Sequence, residues 1–170
     1  CQEDAPLATD LYHQGAIGAN EDALISVAYT SGSPTGSTPA VDQPAYSILA
    51  NTSDVGSAWG LAWQRSSRSL FVSSLMKRHA PFGPDGTGAI YRNQVDVPAT
   101  SLFLDINATF GAGTAGADPH PTGTDFQRDA DSWDPVGKIA WGDLDLSEDE
   151  LTLWGVSLTD RQLYEMPLGA

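Results

Sequence analysis

Two aspartates at i and i+2, Asp143 and Asp145, belong to the densest group of carboxylates in the sequence. Calcium takes six to eight oxygen ligands, and an Asp-x-Asp spacing can supply two of them. The segment is not an EF-hand loop, because Glu148 stands where that loop requires glycine. On a strand, both carboxylates would project from one face, with Leu144 on the other. The pair is a candidate calcium site, and the alternative is a strand and hairpin turn with solvated acids.

A second candidate metal pair, Asp118 and His120, lies in a long polar segment of the chain. Carboxylate oxygens and imidazole nitrogens are both common metal ligands. No second histidine stands nearby at HxH or HExxH spacing, so an ordinary loop histidine is the alternative interpretation.

Lys77, Arg78 and His79 form a local cationic cluster in an otherwise acidic chain. They follow a predicted strand, where charged side chains commonly pair with carboxylates of a neighbouring sheet. Contact with an anionic ligand or a partner protein is the other use we consider for them. No GxSxG, P-loop, GxGxxG or CxxC motif occurs, and no Ser-His-Asp spacing indicates a triad, so the sequence carries no catalytic signature.

The single cysteine is residue 1, so no disulfide can form within the chain. A lone cysteine at the first position of a chain that does not begin with Met is typical of a bacterial lipoprotein, and Cys1 is the predicted lipidation site. The resemblance to bacterial lipoproteins implies, with Gln2 rather than Asp after the cysteine, retention in the outer membrane, and the alternative is a cloning remnant or an accident of numbering. No run of 18 apolar residues exists, so we expect a membrane link only through a lipid on Cys1.

Charge restricts the class of partner. Eight basic and 22 acidic residues give a net charge of −14, which repels phosphate backbones and therefore argues against nucleic acid as a partner. The same field attracts cations and basic protein surfaces. Hydrophobic residues make up 41% of the chain, which is enough for one folded domain with a core.

An internal repeat predicts the elements that carry these side chains. Each copy has two short strands joined by a polar turn, then a loop, then a third strand. The strands cover residues 61–63, 69–75 and 89–92 in the first copy and residues 144–146, 152–158 and 162–165 in the second. Short strands separated by turns indicate an all-β fold, and long-period similarity favours β-propeller-like blades of antiparallel strands. The matching positions predict a core that contains Leu61, Trp63, Phe71, Leu144, Leu153 and Trp154.

Segments 55–91 and 118–168 contain the motifs "GLAW…LFVSS..KRH…GPDGTGAIY" and "GDLDLSEDE.TLW…L.DRQLY". On these motifs the chain resembles a family of bacterial surface β-propeller repeats found beside Ser-Asp-repeat adhesin-type Ig-like domains, of which it would be a short or truncated member. The resemblance implies a propeller fold and an extracytoplasmic setting, and it implies no reaction.

The predicted organisation is an N-terminal tether over residues 1–20 and a propeller-like repeat domain over 21–170. The repeats lie near 55–92 and 136–166, and a long loop covers 111–134. A propeller of the resembled family has about six blades of roughly 40–50 residues each, so the fold is predicted to be incomplete in a single chain of 170 residues. Open blade edges and faces predict association, including self-association.

These features predict a non-enzymatic extracytoplasmic binding or structural module. We expect an exported, lipid-anchored subunit at the bacterial outer membrane, its periplasmic face or the cell surface, with other proteins of a surface assembly as partners. The alternative is a calcium-dependent propeller hydrolase of the lactonase type. In that case Asp143 and Asp145 would hold an ion that polarises a carbonyl or activates water, and the alternative depends on fold analogy.

Overall fold

A computed structural model of the protein describes residues 5–15, 21–31, 44–120 and 123–169. Within these residues the chain forms ten strands, a 3-10 turn at Tyr29–Ser31 and two one-turn helices, α1 (Thr52–Val55) and α2 (Ile106–Phe110). The strands are β1 (Leu7–Asp10), β2 (Asp22–Val27), β3 (Tyr46–Asn51), β4 (Ala58–Gln64), β5 (Ser69–Ser74), β6 (Ala89–Gln94), β7 (Ala99–Asp105), β8 (Trp141–Leu146), β9 (Thr152–Ser157) and β10 (Leu163–Pro167). The predicted all-β class is confirmed.

The strands form three antiparallel sheets, each with its strands in sequence order, and the sheets do not close into a ring. We call them the first sheet (β1–β3), the central sheet (β4–β7) and the third sheet (β8–β10). Part of the predicted tether is a strand, because Leu7–Asp10 pairs with β2. The segment Leu-Ala-Thr-Asp does not alternate between apolar and polar residues, which is the pattern by which a half-buried strand is recognised in sequence.

The central and third sheets repeat the same pairing register. Leu61 pairs with Val72 and Leu144 pairs with Gly155, so both strands are displaced by 83 residues between the two hairpins. Each hairpin has its register irregularity at the same place, just before Leu61 or Leu144. The predicted equivalence of these two segments therefore has a counterpart in three dimensions.

The central sheet is covered on both faces, because side chains on a strand alternate between faces. Leu70, Val72 and Tyr91 belong to a buried cluster with Leu24 and Leu49 of the first sheet. This cluster joins the first sheet to the central sheet.

The opposite face of the central sheet packs on the third sheet. Phe71 and Ile90 lie in a second buried cluster with Trp141, Leu144 and Leu153. The Trp141 indole also donates a 2.9 Å hydrogen bond to the backbone carbonyl of Gly88, so the polar atom of this buried ring is satisfied.

The strands β4 and β8 approach closely at a glycine. Ser73 Oγ accepts a 3.0 Å hydrogen bond from the Gly60 amide and donates a 2.9 Å bond to the Gly142 carbonyl of β8. A Cβ atom on Gly60 would lie 2.7 Å from that carbonyl oxygen and 2.9 Å from the Leu144 nitrogen. Only a residue without a side chain fits this contact.

The predicted core is largely but not entirely confirmed. Leu144, Leu153 and Phe71 are buried, and Leu61 packs at the margin of the first cluster. The prediction for Trp154 is not confirmed, since this residue is only partly buried and belongs to neither of the two clusters between sheets. The prediction for Trp63 is wrong, since 41% of this residue is exposed where a groove opens between the first and central sheets.

The long connection between α2 and β8 consists of turns in its described part, 111–120 and 123–140, without a strand. It packs beside the loop that follows β5, as the next subsection describes. Among the residues that the structure describes, no helix has the length and apolar character to cross a lipid bilayer.

Candidate functional site

Lys77 connects the loop after β5 to the first sheet through an ion pair. Its ammonium lies 2.8 Å from Asp10 Oδ2 at the end of β1, and both side chains are mostly buried. The same ammonium lies 5.7 Å from the ring centroids of Tyr12 and Trp59. The Lys77 ammonium thus contributes to the packing of the first sheet on the loop. This is the first of the two roles that we considered for Lys77, an ion pair with a carboxylate of a neighbouring sheet.

Arg78 reaches into the long connection. Its guanidinium donates to the backbone carbonyls of Arg128 at 3.2 Å and Asp129 at 3.4 Å. It also lies over the ring of Trp133, 4.7 Å from the centroid. The guanidinium therefore holds this connection against the loop after β5 through two hydrogen bonds and one cation–π contact.

His79 adopts a left-handed backbone conformation, with φ at 65°, and contacts the same connection. Its amide donates to Asp129 Oδ2, and its ring Nδ1 lies 2.7 Å from the Phe126 carbonyl. A backbone conformation with positive φ is costly for any residue other than glycine, and these contacts hold His79 in this conformation.

His120 lies between two carboxylates. Its Nδ1 is 3.0 Å from Asp118 Oδ1, and its Nε2 is 3.2 Å from Asp129 Oδ1, while only 3% of the side chain is exposed. These are ion-pair distances, although the angles are not those of hydrogen bonds. Both ring nitrogens face a carboxylate, and the ring centroid of Phe126 lies 5.0 Å away.

Asp129 is the residue of this cluster that the sequence analysis did not single out. Burial acts to raise its pKa, but hydrogen bonds from the His79 amide and the Ser132 hydroxyl, with the charge of His120, bring the pKa below its ordinary value. The carboxylate thus favours its charged form in a buried site. No regular spacing relates Asp129 to His79 or His120, so only the fold brings the three together.

The two candidate metal pairs lie in separate parts of the structure. Asp118 and His120 lie beside Asp129 in the connection between α2 and β8, whereas Asp143 and Asp145 lie on β8. Each of the latter two accepts a hydrogen bond from the next amide, at 2.9 and 2.8 Å, and both are exposed. Among the described residues no three His, Cys, Asp or Glu side chains are grouped as a metal site. Cys1, the predicted lipidation site, lies outside the described residues.

The outer face of the third sheet is the second notable surface. Leu144 and Leu153 point toward the central sheet, so the neighbouring Trp154, Val156 and Leu163 point away from it. Val156 pairs with Leu163, and these residues are 40% and 63% exposed. We call the set Trp154, Val156 and Leu163 the free face.

The repeat shows what the free face corresponds to. Trp154 lies 83 residues after Phe71, and Leu163 occupies the third-strand position that Ile90 occupies in the central sheet. Phe71 and Ile90 are buried beneath the third sheet, with 1% and 0% exposure. The free face thus presents large apolar side chains at the positions that another sheet covers in the preceding copy.

Acidic residues border the free face. Asp145 and Glu165 both lie opposite Trp154 on the flanking strands, and Asp143 lies further along β8. Asp143 and Asp145 stand where the central sheet has Gly60 and Ala62. A covering surface therefore cannot approach β8 as closely as β8 approaches β4.

Comparison with known proteins gives relatives in a eukaryote. The chain is similar to the colossins of Dictyostelium discoideum. It is 31% identical to colossin-D over 123 residues, which is 71% of this chain and 13% of colossin-D. Identity is 32% to colossin-C over 57% of the chain and 29% to colossin-A over 66% of the chain. These matches span 10% of colossin-C and 1% of colossin-A.

The colossin similarity corrects the family resemblance drawn from the two motifs. Relatives in a eukaryotic family conflict with a bacterial surface propeller repeat family, so that assignment is wrong. No family model matches the chain. No solved structure matches it either. The two motifs belong to a repeat that the structure contains, because the two hairpins share one register. A repeat by itself does not specify a protein family.

Proposed function

We propose that this chain is a non-enzymatic binding or structural module, built from three successive blade-like sheets, that docks a partner protein on the free face of its third sheet. The observation that carries the proposal is the correspondence of Trp154 and Leu163 with the buried Phe71 and Ile90. Large apolar side chains at a repeated interface position are typical of a surface that is covered in an assembly.

The acidic border specifies the partner's chemistry. Asp143, Asp145 and Glu165 surround the apolar centre, so a stable complex requires Lys or Arg opposite them. The partner surface therefore has an apolar centre and a basic border. Aromatic side chains such as Trp154 commonly contribute most of the binding energy at the centre of such an interface.

A second copy of this chain fits the free face poorly. The net charge of −14 makes two copies repel each other. Five of the eight basic side chains are already paired with carboxylates, and Arg78 is held by loop carbonyls. We therefore favour a different, basic protein over the self-association that open sheets alone would suggest.

Site-specific cross-linking tests this proposal. Benzoylphenylalanine at position 163 should form an adduct with a basic protein in the native host, and the same group at Val97, an equally apolar exposed site, should not. With the purified partner, Trp154→Ala should weaken binding about tenfold or more. Added salt should weaken binding as well, because opposite charges are screened.

Several results would contradict the proposal. They are an absence of adducts at position 163, equal adducts at positions 163 and 97, an adduct with a second copy of this chain, and affinity that is insensitive to Trp154→Ala. Export and lipid attachment at Cys1 stay predictions, which the intact mass of the native protein would test. The hydrolase alternative also stays a prediction.

A further inference from the structure

A groove of about 360 Å³ separates the first sheet from the central sheet at the end of β4. Its walls are mainly apolar and include Leu7, Leu49, Leu61, Trp63, Leu70 and Val95. The volume lies within the range of small-molecule sites in proteins, which are commonly apolar and concave.

The repeat shows that this groove is not a general feature of sheet packing in the chain. Leu144, Leu146 and Leu153 correspond to Leu61, Trp63 and Leu70 and pack in the cluster between the central and third sheets. The same three positions are thus packed at one interface, while at the other they line a groove and leave Trp63 41% exposed.

A depression of similar size, about 340 Å³, lies at the second interface and has a different character. Its walls include the polar side chains of Gln64, Ser67 and Arg92. This depression therefore offers an apolar molecule less apolar wall than the groove beside Trp63 does. The groove beside Trp63 is therefore the better apolar site of the two.

Charge limits what the groove can hold. Arg68 lines it, but its Nε and Nη2 atoms are 2.5 and 2.7 Å from the two carboxylate oxygens of Asp96. This bidentate pair compensates the charge of the guanidinium, and the net charge of −14 opposes an incoming anion. An uncharged molecule suits the site best.

We propose that the groove binds an uncharged, planar, mainly apolar small molecule that stacks on the indole of Trp63. A flat ring on an exposed indole gains both apolar contact and offset stacking. The molecule would fill the space that packed leucines fill at the second interface. This inference is independent of the docking function proposed for the free face, because Trp63 and Trp154 lie in different sheets.

Two related dyes test the proposal. N-phenyl-1-naphthylamine is uncharged, and 1-anilinonaphthalene-8-sulfonate has a closely similar ring system with one negative charge. We expect saturable one-to-one binding of the uncharged dye, with an affinity about tenfold or more above that of the sulfonate. Energy transfer from tryptophan to the bound dye gives the readout.

Variants locate the dye. Trp63→Ala should weaken binding of the uncharged dye about tenfold, whereas Trp154→Ala is the matched control and should leave it unchanged. Leu7→Trp should fill the groove from its exposed side and abolish binding while urea unfolding stays cooperative. The proposal is overturned if Trp154→Ala weakens binding as much as Trp63→Ala, if Leu7→Trp still binds, if the sulfonate binds more tightly, or if binding does not saturate.

Discussion

Replacement of Phe71 by alanine tests the sheet-on-sheet packing on which every functional argument above depends. Phe71 is 1% exposed and lies between the central and third sheets, with its ring centroid 5.0 Å from that of Phe103 at an interplanar angle of 73°. Truncation of such a ring costs about 3–5 kcal/mol in the free energy of unfolding, since it removes apolar burial and leaves a cavity. For a chain of this size the loss corresponds to a fall in Tm of roughly 6–20 °C.

The control is Trp154→Ala, which removes an aromatic ring from the equivalent position of the next copy. Trp154 is only partly buried on the free face, so we expect a loss of about 1 kcal/mol. Urea unfolding followed by tryptophan fluorescence measures both variants, and an unchanged m-value shows that the comparison concerns stability. Equal losses for the two variants would refute the reasoning, because the two positions would then be covered alike.

Three further predictions concern the other contacts. Gly60→Ala should lower Tm clearly and Gly142→Ala much less, since a Cβ on Gly142 meets its nearest atom only at 3.3 Å; equal shifts would contradict the close approach of β4 and β8. Ser73→Ala should cost about 1–3 kcal/mol in urea unfolding, because two buried backbone groups lose their partner, and a neutral result would argue against that bridge. The Asp129 carboxylate contributes stability above its unfolded pKa near 3.8, and this stability is lost as pH falls toward its lower folded pKa. Asp129→Asn should therefore reduce the loss of stability measured between pH 5 and pH 3. Parallel pH profiles of the variant and the original protein would contradict this linkage.

The residues of the repeat allowed a good prediction of local structure. The match of Leu61 to Leu144 anticipated two hairpins with one register, because strand alternation and turn residues are local properties that each copy carries in its own sequence. The same reasoning placed Phe71 and Leu153 in the core. The assignment to a bacterial surface propeller family, made from two motifs, was wrong, as the similarity to the colossins shows.

The sequence could not show which residues meet when segments far apart in the chain pack together. His79, His120 and Asp129 meet because the connection after α2 folds back onto the loop after β5, and their spacing carries no trace of this contact. The second carboxylate beside His120, from Asp129, was missed for the same reason, because it comes from a later part of the same connection.

The sequence by itself determined the all-β class, the hairpin register and the acidic character, since these follow from side-chain alternation, turn residues and the count of charges. Only the tertiary structure decided which faces are covered. Trp63, Phe71 and Trp154 read alike in sequence, yet one lines a groove, one is buried and one lies on a free face. Burial depends on whether another sheet lies opposite, and that is a property of how the sheets stack and of no single strand.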